Sequence, residues 1–340
     1  MNGARRDALV GAVLVALFAL VPWLTSSRYI VSQLTLCFIW GVVVVQWNVV
    51  LGVGGIFSLA QMALFGCGAY ATAMIGYYGH WPLWAVLPLA GVVTVLLSML
   101  IGWACLRLRG PYVALLTLAI SQVILVLIVN DTDCFTQDSG CMPLFGGVRG
   151  IGQFGDLGFR EWFGPKWNVA DYYLGLLLLA LAFVFSAVII RGPLGLAFKA
   201  LRDNPGYATA RGVSRFKYQL WLFALSAFFT GLAGAFYAAH FKVVGPTVFS
   251  FQTLLFLLAM IVVGGMGSTW GPLLGLALLM LADEGMKELS DLRNIGIGSL
   301  LAAFVVIWPQ GIAGWLQRLG ARPRRSPAES AVSTRAESRP

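Results

Sequence analysis

The chain has 340 residues, of which 59% are apolar and only 11% are charged, and its formal net charge is +9. So small a charged fraction excludes an ordinary soluble domain and indicates a polytopic membrane protein. Residues 29–106 and 243–282 contain no Lys, Arg, Asp or Glu. Because one helical crossing needs about 20 apolar residues, the first of these runs crosses a bilayer more than once. The runs lack the alternation of a β-barrel, so an all-α fold is predicted.

Taken in chain order, the apolar runs predict about ten transmembrane helices separated by glycine-rich or polar breaks. The predicted spans are residues 8–24, 29–51, 56–78, a fourth ending near 106, 112–129, 172–190, 219–239, 249–265, 269–282 and 295–308. The first follows Arg5 and Arg6 but has no small-x-small cleavage site, so we interpret it as a membrane helix and not as a signal peptide. The two arms around Gly264 are short, which leaves a full hairpin and a re-entrant pair both open. Residues 1–317 then form the transmembrane domain and residues 318–340 a disordered tail.

Charge separates two polar segments. The loop over residues 130–171 has six acidic and three basic residues, whereas residues 191–218 have six basic residues and one acidic residue. The positive-inside rule therefore places the first segment outside and the second in the cytoplasm, together with both termini. Since the basic residues flank apolar spans, we expect membrane lipid and not nucleic acid as their surroundings. Cys134 and Cys141 share the outer loop, and the sequence leaves open whether they form a disulfide.

Sequence motifs for catalysis are missing. The chain has no G-x-x-x-x-G-K-[ST] loop for a nucleotide, no H-E-x-x-H motif and only two histidines, His80 and His240. No ionisable residue is visible inside a predicted span, which disfavours both a membrane-embedded enzyme and a proton-coupled carrier. We therefore predict no catalytic residue, no metal site and no directly bound cofactor.

Neutral polar residues inside the spans have two possible roles. They either line a weakly binding translocation path or make hydrogen bonds between helices. The candidates for the path are Ser58, Gln61, Tyr70, Thr117 and Gln122, and the spans also contain Gln46, Asn48 and Ser121.

Two glycine-rich breaks share the pattern V-G-G-x-x-S, over residues 53–58 and 263–268. Broken helices at corresponding positions of two repeats are a common way to build a transporter. The pattern therefore suggests two related halves, although six residues in a glycine-rich chain also arise by chance. The glycines predicted to be structural are Gly54, Gly55, Gly264, Gly265 and Gly267.

The basic segment over residues 191–218 predicts short helices. Residues 197–201 favour a helix, and Asp203-Asn204-Pro205-Gly206 indicates either a turn or a new helix start. A basic helical element at the cytoplasmic face is suited to docking on a partner. Charge alone favours the other interpretation, a positive-inside loop that has no partner.

Several motifs, in this order and spacing, resemble the LivH/LivM family of branched-chain amino acid permeases. They include S-L-A-Q at 58–61, F-G-C-G-A-Y at 65–70, L-R-L-R-G-P-Y at 106–112, A-L-R-D-N-P at 200–205 and G-G-M-G-S at 264–268. The resemblance implies the membrane subunit of an ATP-binding cassette importer in a bacterial inner membrane. It also implies a second, similar permease subunit, two ATPase subunits that bind the ATP, and a periplasmic binding protein. The residues it assigns to ATPase coupling are Ala200, Leu201, Arg202, Asp203, Asn204, Pro205, Ala208 and Gly212.

The chain departs from this family pattern at Arg211, where an apolar residue is usual, and over residues 135–141 of the outer loop. The first departure bears on the ATPase contact and the second on the substrate. Branched-chain amino acids are the expected substrate, with urea or short amides as the alternative. A self-sufficient channel or ion-coupled carrier is the rival from another functional class.

Overall fold

The computed structural model is almost entirely helical, and it describes residues 2–25, 27–108, 110–133, 143–159, 164, 167–287, 293–308 and 311–320. The α-helices are α1 Asn2–Leu24, α2 Arg28–Asn48, α3 Gln61–Gly79, α4 Leu83–Cys105, α5 Pro111–Val129, α6 Trp167–Arg191, α7 Pro193–Asp203, α8 Pro205–Ala210, α9 Arg215–Phe241, α10 Phe251–Gly264, α11 Gly271–Gly285, α12 Arg293–Ile307 and α13 Gly311–Gly320. Two short strands, β1 Ile151–Gly152 and β2 Val243–Val244, pair antiparallel.

Helix length and composition confirm a polytopic membrane protein. Among the described residues, five helical segments are long and apolar enough to cross a bilayer. They are Arg28–Val53, Leu83–Cys105, Pro111–Val129, Trp167–Arg191 and Arg215–Phe241. Shorter apolar helices are Leu9–Leu24, Phe251–Gly264 and Ile295–Phe304.

Contacts between helix ends show which ends lie together at each of the two faces of the bundle. The basic face contains residues 191–215, and there Arg191 donates to the Asp7 carboxylate at the start of α1. The opposite face contains residues 241–250 and 285–287, where the Tyr29 hydroxyl donates to the Glu284 carboxylate at 2.7 Å. Consecutive long helices therefore run antiparallel, as membrane-crossing helices joined by short loops must.

Helix α11 and its flanking residues reach both faces. The turn before α11 contacts the end of α2 through a hydrogen bond from the Gly267 N–H to the Asn48 amide oxygen, at 2.8 Å. Beyond the end of α11, the Lys287 ammonium donates to the Tyr29 hydroxyl at 2.9 Å, near the start of α2. Helix α11 and its flanking residues therefore contact both ends of α2, which is itself long enough to span a bilayer.

Helix α9 is central to the core and packs closely because its inner stripe is made of small residues. Ala227 and Ala235 are fully buried, and a Cβ at Gly231 would lie within 2.6 Å of the Thr94 Cβ on α4. A Cβ at Gly68 of α3 would overlap the Gly231 carbonyl. These small residues let the backbones of α3, α4 and α9 approach closely.

Helix α3 begins later than the sequence predicted for this span. Residues 56–60 are not helical; instead, side chains satisfy their backbone groups. The Trp47 indole donates to the Ser58 carbonyl at 2.9 Å, and the Leu59 N–H donates to the Thr117 hydroxyl at 2.9 Å. Before this segment α2 continues as a π-helical turn, Val49–Val53, which includes Gly52.

The expectation that no ionisable residue lies inside a helical span was wrong. Asp171 belongs to α6 and His240 to α9, both are buried, and the His240 Nδ1 lies 2.8 Å from the Asp171 carboxylate. The His240 Nε2 lies 3.3 Å from the Ser32 hydroxyl on α2. The predicted spans follow the apolar runs, and both helices extend beyond those runs, so the pair lay outside the predicted spans. Helix α6 begins at Trp167 and therefore overlaps residues 167–171 of the predicted loop. Cys134 and Cys141 lie outside the described residues.

We expect the His240→Ala substitution to destabilise the bundle by about 3 kcal/mol, because it leaves the Asp171 carboxylate buried without that partner. Thermal unfolding in detergent measures the effect. Lys242→Ala is the matched control, since the Lys242–Asp156 ion pair at 2.9 Å is partly exposed and its loss costs about 0.5 kcal/mol. Equal melting temperatures for the two variants would contradict the structural role of the pair.

Candidate functional site

The two glycine-rich breaks lie against each other at the basic face. Asn48 joins them with both ends of its amide: its oxygen accepts from the Gly267 N–H at 2.8 Å, and its nitrogen donates to the Ser268 carbonyl at 3.0 Å. A Cβ at Gly52 would overlap the Gly267 nitrogen and lie 2.6 Å from the Asn48 amide oxygen. We call these residues, Asn48, Gly52, Gly55, Gly267 and Ser268, the break junction.

The backbone conformation of the break junction favours glycine at two positions. Gly55 has φ +66° and Gly267 has φ +77°, a region that a side chain makes unfavourable. The other glycines predicted to be structural lie in crowded surroundings: a Cβ at Gly54 would overlap Leu222 and one at Gly264 would overlap the Gly271 carbonyl, while Gly265 packs against Gly311.

Arg202 connects the basic segment to the break junction. Its Nη1 donates to the Gly52 carbonyl at 2.6 Å, and its side-chain stem lies so close to Gly55 that a Cβ there would overlap the Arg202 Cγ. Its Nε donates to the neighbouring Asp203 carboxylate at 2.9 Å. Arg202 is thus the residue of α7 that contacts both the end of α2 and the segment leading into α3.

The residues assigned to coupling divide into buried and exposed positions. Leu201 and Ala208 are buried. The exposed members of the set are Ala200, Arg202, Asp203, Asn204, Pro205 and Gly212. Six of these eight residues are therefore solvent-facing and two are buried.

The turn between α7 and α8 is a new helix start, one of the two predicted alternatives. The Asn204 side chain accepts from the Tyr207 N–H at 3.0 Å, and Pro205 occupies the first turn of α8. Arg211, the departure from the family pattern, donates to the Tyr207 hydroxyl at 2.8 Å. Tyr207 and Leu196 are 60% and 68% exposed, so the surface is apolar as well as basic. Aromatic, aliphatic and arginine side chains together are typical of protein interfaces.

Three of the residues predicted for a translocation path make hydrogen bonds inside the bundle. The Gln61 amide donates to the Thr230 hydroxyl at 2.5 Å and to the Ser226 hydroxyl at 3.3 Å. The Ser58 hydroxyl accepts from the Ala60 N–H at 3.3 Å, and Thr117 accepts from Leu59 as described above. These contacts match the alternative role of joining helices and neighbouring segments. Gln122 is half-buried on α5.

We expect the Thr117→Val substitution to lower stability by about 1–2 kcal/mol, because it leaves the Leu59 N–H without its acceptor. Thermal unfolding again measures the effect. Thr72→Val is the matched control: Thr72 is also fully buried, but its hydroxyl donates only to the Gly68 carbonyl of its own helix, at 3.0 Å. If Thr117→Val unfolds at the same temperature as Thr72→Val, the hydrogen bond does not hold the segment before α3.

Tyr70 differs from the other predicted path residues because it lines a cavity. The cavity has a volume of about 500 Å³ and lies between α3, α4 and α5, with Phe249 and Phe145 on its walls. The Tyr70 side chain is 4% exposed, and in the described part of the chain its hydroxyl has no hydrogen-bond partner. Tyr70 is therefore a path candidate whose buried hydroxyl can hydrogen-bond to a ligand.

Comparison with known proteins identifies the family. The family model described as "Branched-chain amino acid transport system / permease component" matches residues 29–308. The chain belongs to this permease family. It is 32% identical over 298 residues to the high-affinity branched-chain amino acid transport system permease protein LivM of Salmonella typhimurium, covering 84% of this chain and 70% of the relative. It is also 32% identical over 313 residues to the LivM protein of Escherichia coli, covering 88% of this chain and 74% of the relative. No solved structure matches the chain.

The role of Asn48 in joining the two breaks was not predicted from the sequence of this permease. The available signal was an amide inside an otherwise apolar span, which is costly without a partner. The partner lies more than 200 residues away, at Gly267 and Ser268. No group of three or more His, Cys, Asp or Glu residues that could hold a metal ion occurs among the residues the structure describes.

Proposed function

We propose that this chain is the membrane-spanning permease subunit of an ATP-binding cassette importer for branched-chain amino acids. The observation that carries the proposal is the contact of Arg202 with Gly52, because it joins a solvent-facing basic segment to the breaks of the membrane helices. Membership in the permease family and the names of the two LivM relatives support the substrate class.

In this proposal the chain crosses the bacterial inner membrane ten times, with both termini in the cytoplasm. The positive-inside rule supports this orientation, since the basic face contains the segment with six basic residues and one acidic residue. The contact between Arg191 and Asp7 supports a start of α1 at the same face. The two V-G-G-x-x-S breaks are corresponding points of two related halves, and residues 318–340 are a cytoplasmic tail.

The mechanism needs a movable element and no catalytic residue. Two ATPase subunits dock on the exposed surface of α7 and α8, and ATP-driven closure displaces this surface. Arg202 passes the displacement to Gly52 at the end of α2, and Asn48 passes it to the turn at Gly267. The bundle then exchanges between outward-facing and inward-facing states, which is a population shift between two packings.

This mechanism requires partner proteins for ATP hydrolysis, for the second half of the membrane part and for substrate delivery. The ATPase subunits bind and hydrolyse ATP, a second permease of similar fold completes the membrane part, and a periplasmic binding protein delivers the substrate. This chain itself is not an enzyme and binds no cofactor.

Uptake by cells that lack other branched-chain transporters tests the proposal. Cells that express the chain with the second permease, the ATPase subunits and the binding protein should take up labelled leucine. Excess isoleucine or valine should compete, whereas urea and acetamide should not. Replacing the ATP-binding lysine of the ATPases should abolish uptake. If only urea or a short amide competes, the substrate belongs to that class and not to the branched-chain amino acids. Uptake that survives ATPase inactivation would overturn the importer assignment.

A further inference from the structure

The cavity beside Tyr70 has the size and lining of a small-molecule site. Its volume of about 500 Å³ falls within the roughly 300–1,000 Å³ of typical ligand pockets. Most of its wall is apolar and includes Met74, Val93, Ile124 and Phe249. Such a wall suits a short aliphatic side chain.

The cavity extends from the face opposite the basic one to the middle of α3. Tyr70 lies in the middle of α3, whereas Asn130, Asp131 and Asp133 follow the end of α5 at the face opposite the basic one. From Tyr70 to the end of α3 at Gly79, the helix rises about 13 Å. A solute that enters between the acidic residues therefore reaches Tyr70 near the centre of the bundle.

The polar groups of the cavity favour a ligand with a positively charged group and a hydrogen-bond acceptor. Asp131 is fixed at the mouth, where one carboxylate oxygen accepts from the Phe145 N–H at 2.5 Å, and Asp133 is exposed beside it. Two carboxylates at the mouth attract an ammonium group and repel anions. In the interior, Tyr70 offers a hydroxyl that is buried without a partner among the described residues, and such a group has a strong preference for a hydrogen-bonding ligand.

A second cavity, of about 520 Å³, lies between α10, α11 and α12, and its polar residues include Asp283. Asp283 already interacts with other residues of the chain. The cavity beside Tyr70 is therefore the better candidate for a ligand site.

We propose that the cavity beside Tyr70 holds the transported amino acid during its passage. Asp131 and Asp133 attract the substrate ammonium at the mouth. Once the substrate is bound deeper in the cavity, the Tyr70 hydroxyl donates to its carboxylate and its aliphatic side chain packs against Met74, Val93 and Ile124. This inference rests on the proposed function and adds a substrate site within this chain. It assigns part of the selectivity to the permease and not to the binding protein alone.

Equilibrium binding to the complete transporter in lipid nanodiscs, without the binding protein, tests the site. The probes are leucine and isoamylamine, which is leucine without its carboxylate. We expect Tyr70→Phe to weaken leucine binding about tenfold, as for loss of a hydrogen bond to a charged group, and to leave isoamylamine binding unchanged. Tyr77→Phe is the matched control, because Tyr77 is on the same helix but does not line the cavity. Unchanged leucine binding in Tyr70→Phe, or an equal loss for both probes, would overturn the inference.

A second variant tests the apolar wall independently. Ala71 lines the cavity and is half-buried, so Ala71→Leu reduces the space available for a side chain. We expect the variant to lose leucine binding and to retain alanine binding. Equal loss of both amino acids, or a lipid acyl chain that occupies the cavity at saturating leucine, would contradict the inference.

The same preparation separates failure of the site from failure of the proposed function. If ATP-driven leucine uptake proceeds and Tyr70→Phe binds leucine like the wild type, the site is wrong and the importer assignment stands. If no ATP-driven uptake occurs with all partners present, the proposed function is wrong as well.

Discussion

The Arg202→Ala substitution will reduce leucine uptake about tenfold or more while ATP hydrolysis by the assembled transporter continues. The guanidinium of Arg202 is the donor to the Gly52 carbonyl, and its stem packs against Gly55. A hydrogen bond from a charged donor contributes about 1.5–3 kcal/mol, which corresponds to roughly ten- to hundredfold in an equilibrium between two states. Without it, movement of α7 no longer biases the end of α2. The measurement is the ratio of leucine transported to ATP hydrolysed in proteoliposomes.

Two further variants make this result specific. Lys199→Ala removes a positive charge from the same helix and should leave the ratio of uptake to hydrolysis close to that of the wild type. Arg202→Lys keeps the stem and the charge but loses the planar donor fork, so it should retain only part of the coupling. A normal ratio in Arg202→Ala, with assembly intact, would exclude Arg202 as the connection.

The Gly52→Ala substitution will destabilise the folded bundle by about 3 kcal/mol, an overpacking cost at the upper end of the usual range. A Cβ at this position would overlap the backbone nitrogen of Gly267 and lie 2.6 Å from the Asn48 amide oxygen. Neither neighbour is the flexible end of a long side chain, so relief requires separating the two breaks. Thermal unfolding in detergent, followed by size-exclusion chromatography, measures the loss.

Gly285→Ala is the control for Gly52→Ala. Gly285 ends α11, and a Cβ built there has no heavy atom of another part of the described chain within 4 Å. The control should change stability by no more than about 0.5 kcal/mol. Equal stability of the two variants would mean that the close approach at the break junction is not needed for the fold.

Local chemistry predicted the helices of the basic segment well. Asn204 followed by Pro205 is a sequence signature of a helix start, and the structure has an Asn204 cap with α8 behind it. The long apolar spans were predictable for the same reason, because bilayer thickness fixes their length. What could not be predicted was which distant segments meet, since Asn48 and Gly267 are joined by packing and not by any local pattern.

Helix ends explain the other differences between sequence prediction and structure. Asp171 and His240 pair because α6 and α9 extend beyond their apolar runs, so a buried ionisable pair escaped a search limited to those runs. The late start of α3 has the opposite cause: residues 56–60 are apolar enough for a helix, but side chains of α2 and α5 satisfy their backbone. Tyr70 was a path candidate from sequence, whereas only the three-dimensional structure shows that its hydroxyl has no hydrogen-bond partner among the described residues.

Flux through liposomes tests the importer assignment most directly. The purified chain is reconstituted alone and, in parallel, with its permease partner, the two ATPase subunits and the binding protein, and labelled leucine is followed with and without ATP. The account predicts leucine accumulation only in the complete system with ATP, and none through the chain alone. Leucine flux through the purified chain by itself would contradict the account and would identify a self-sufficient channel or carrier.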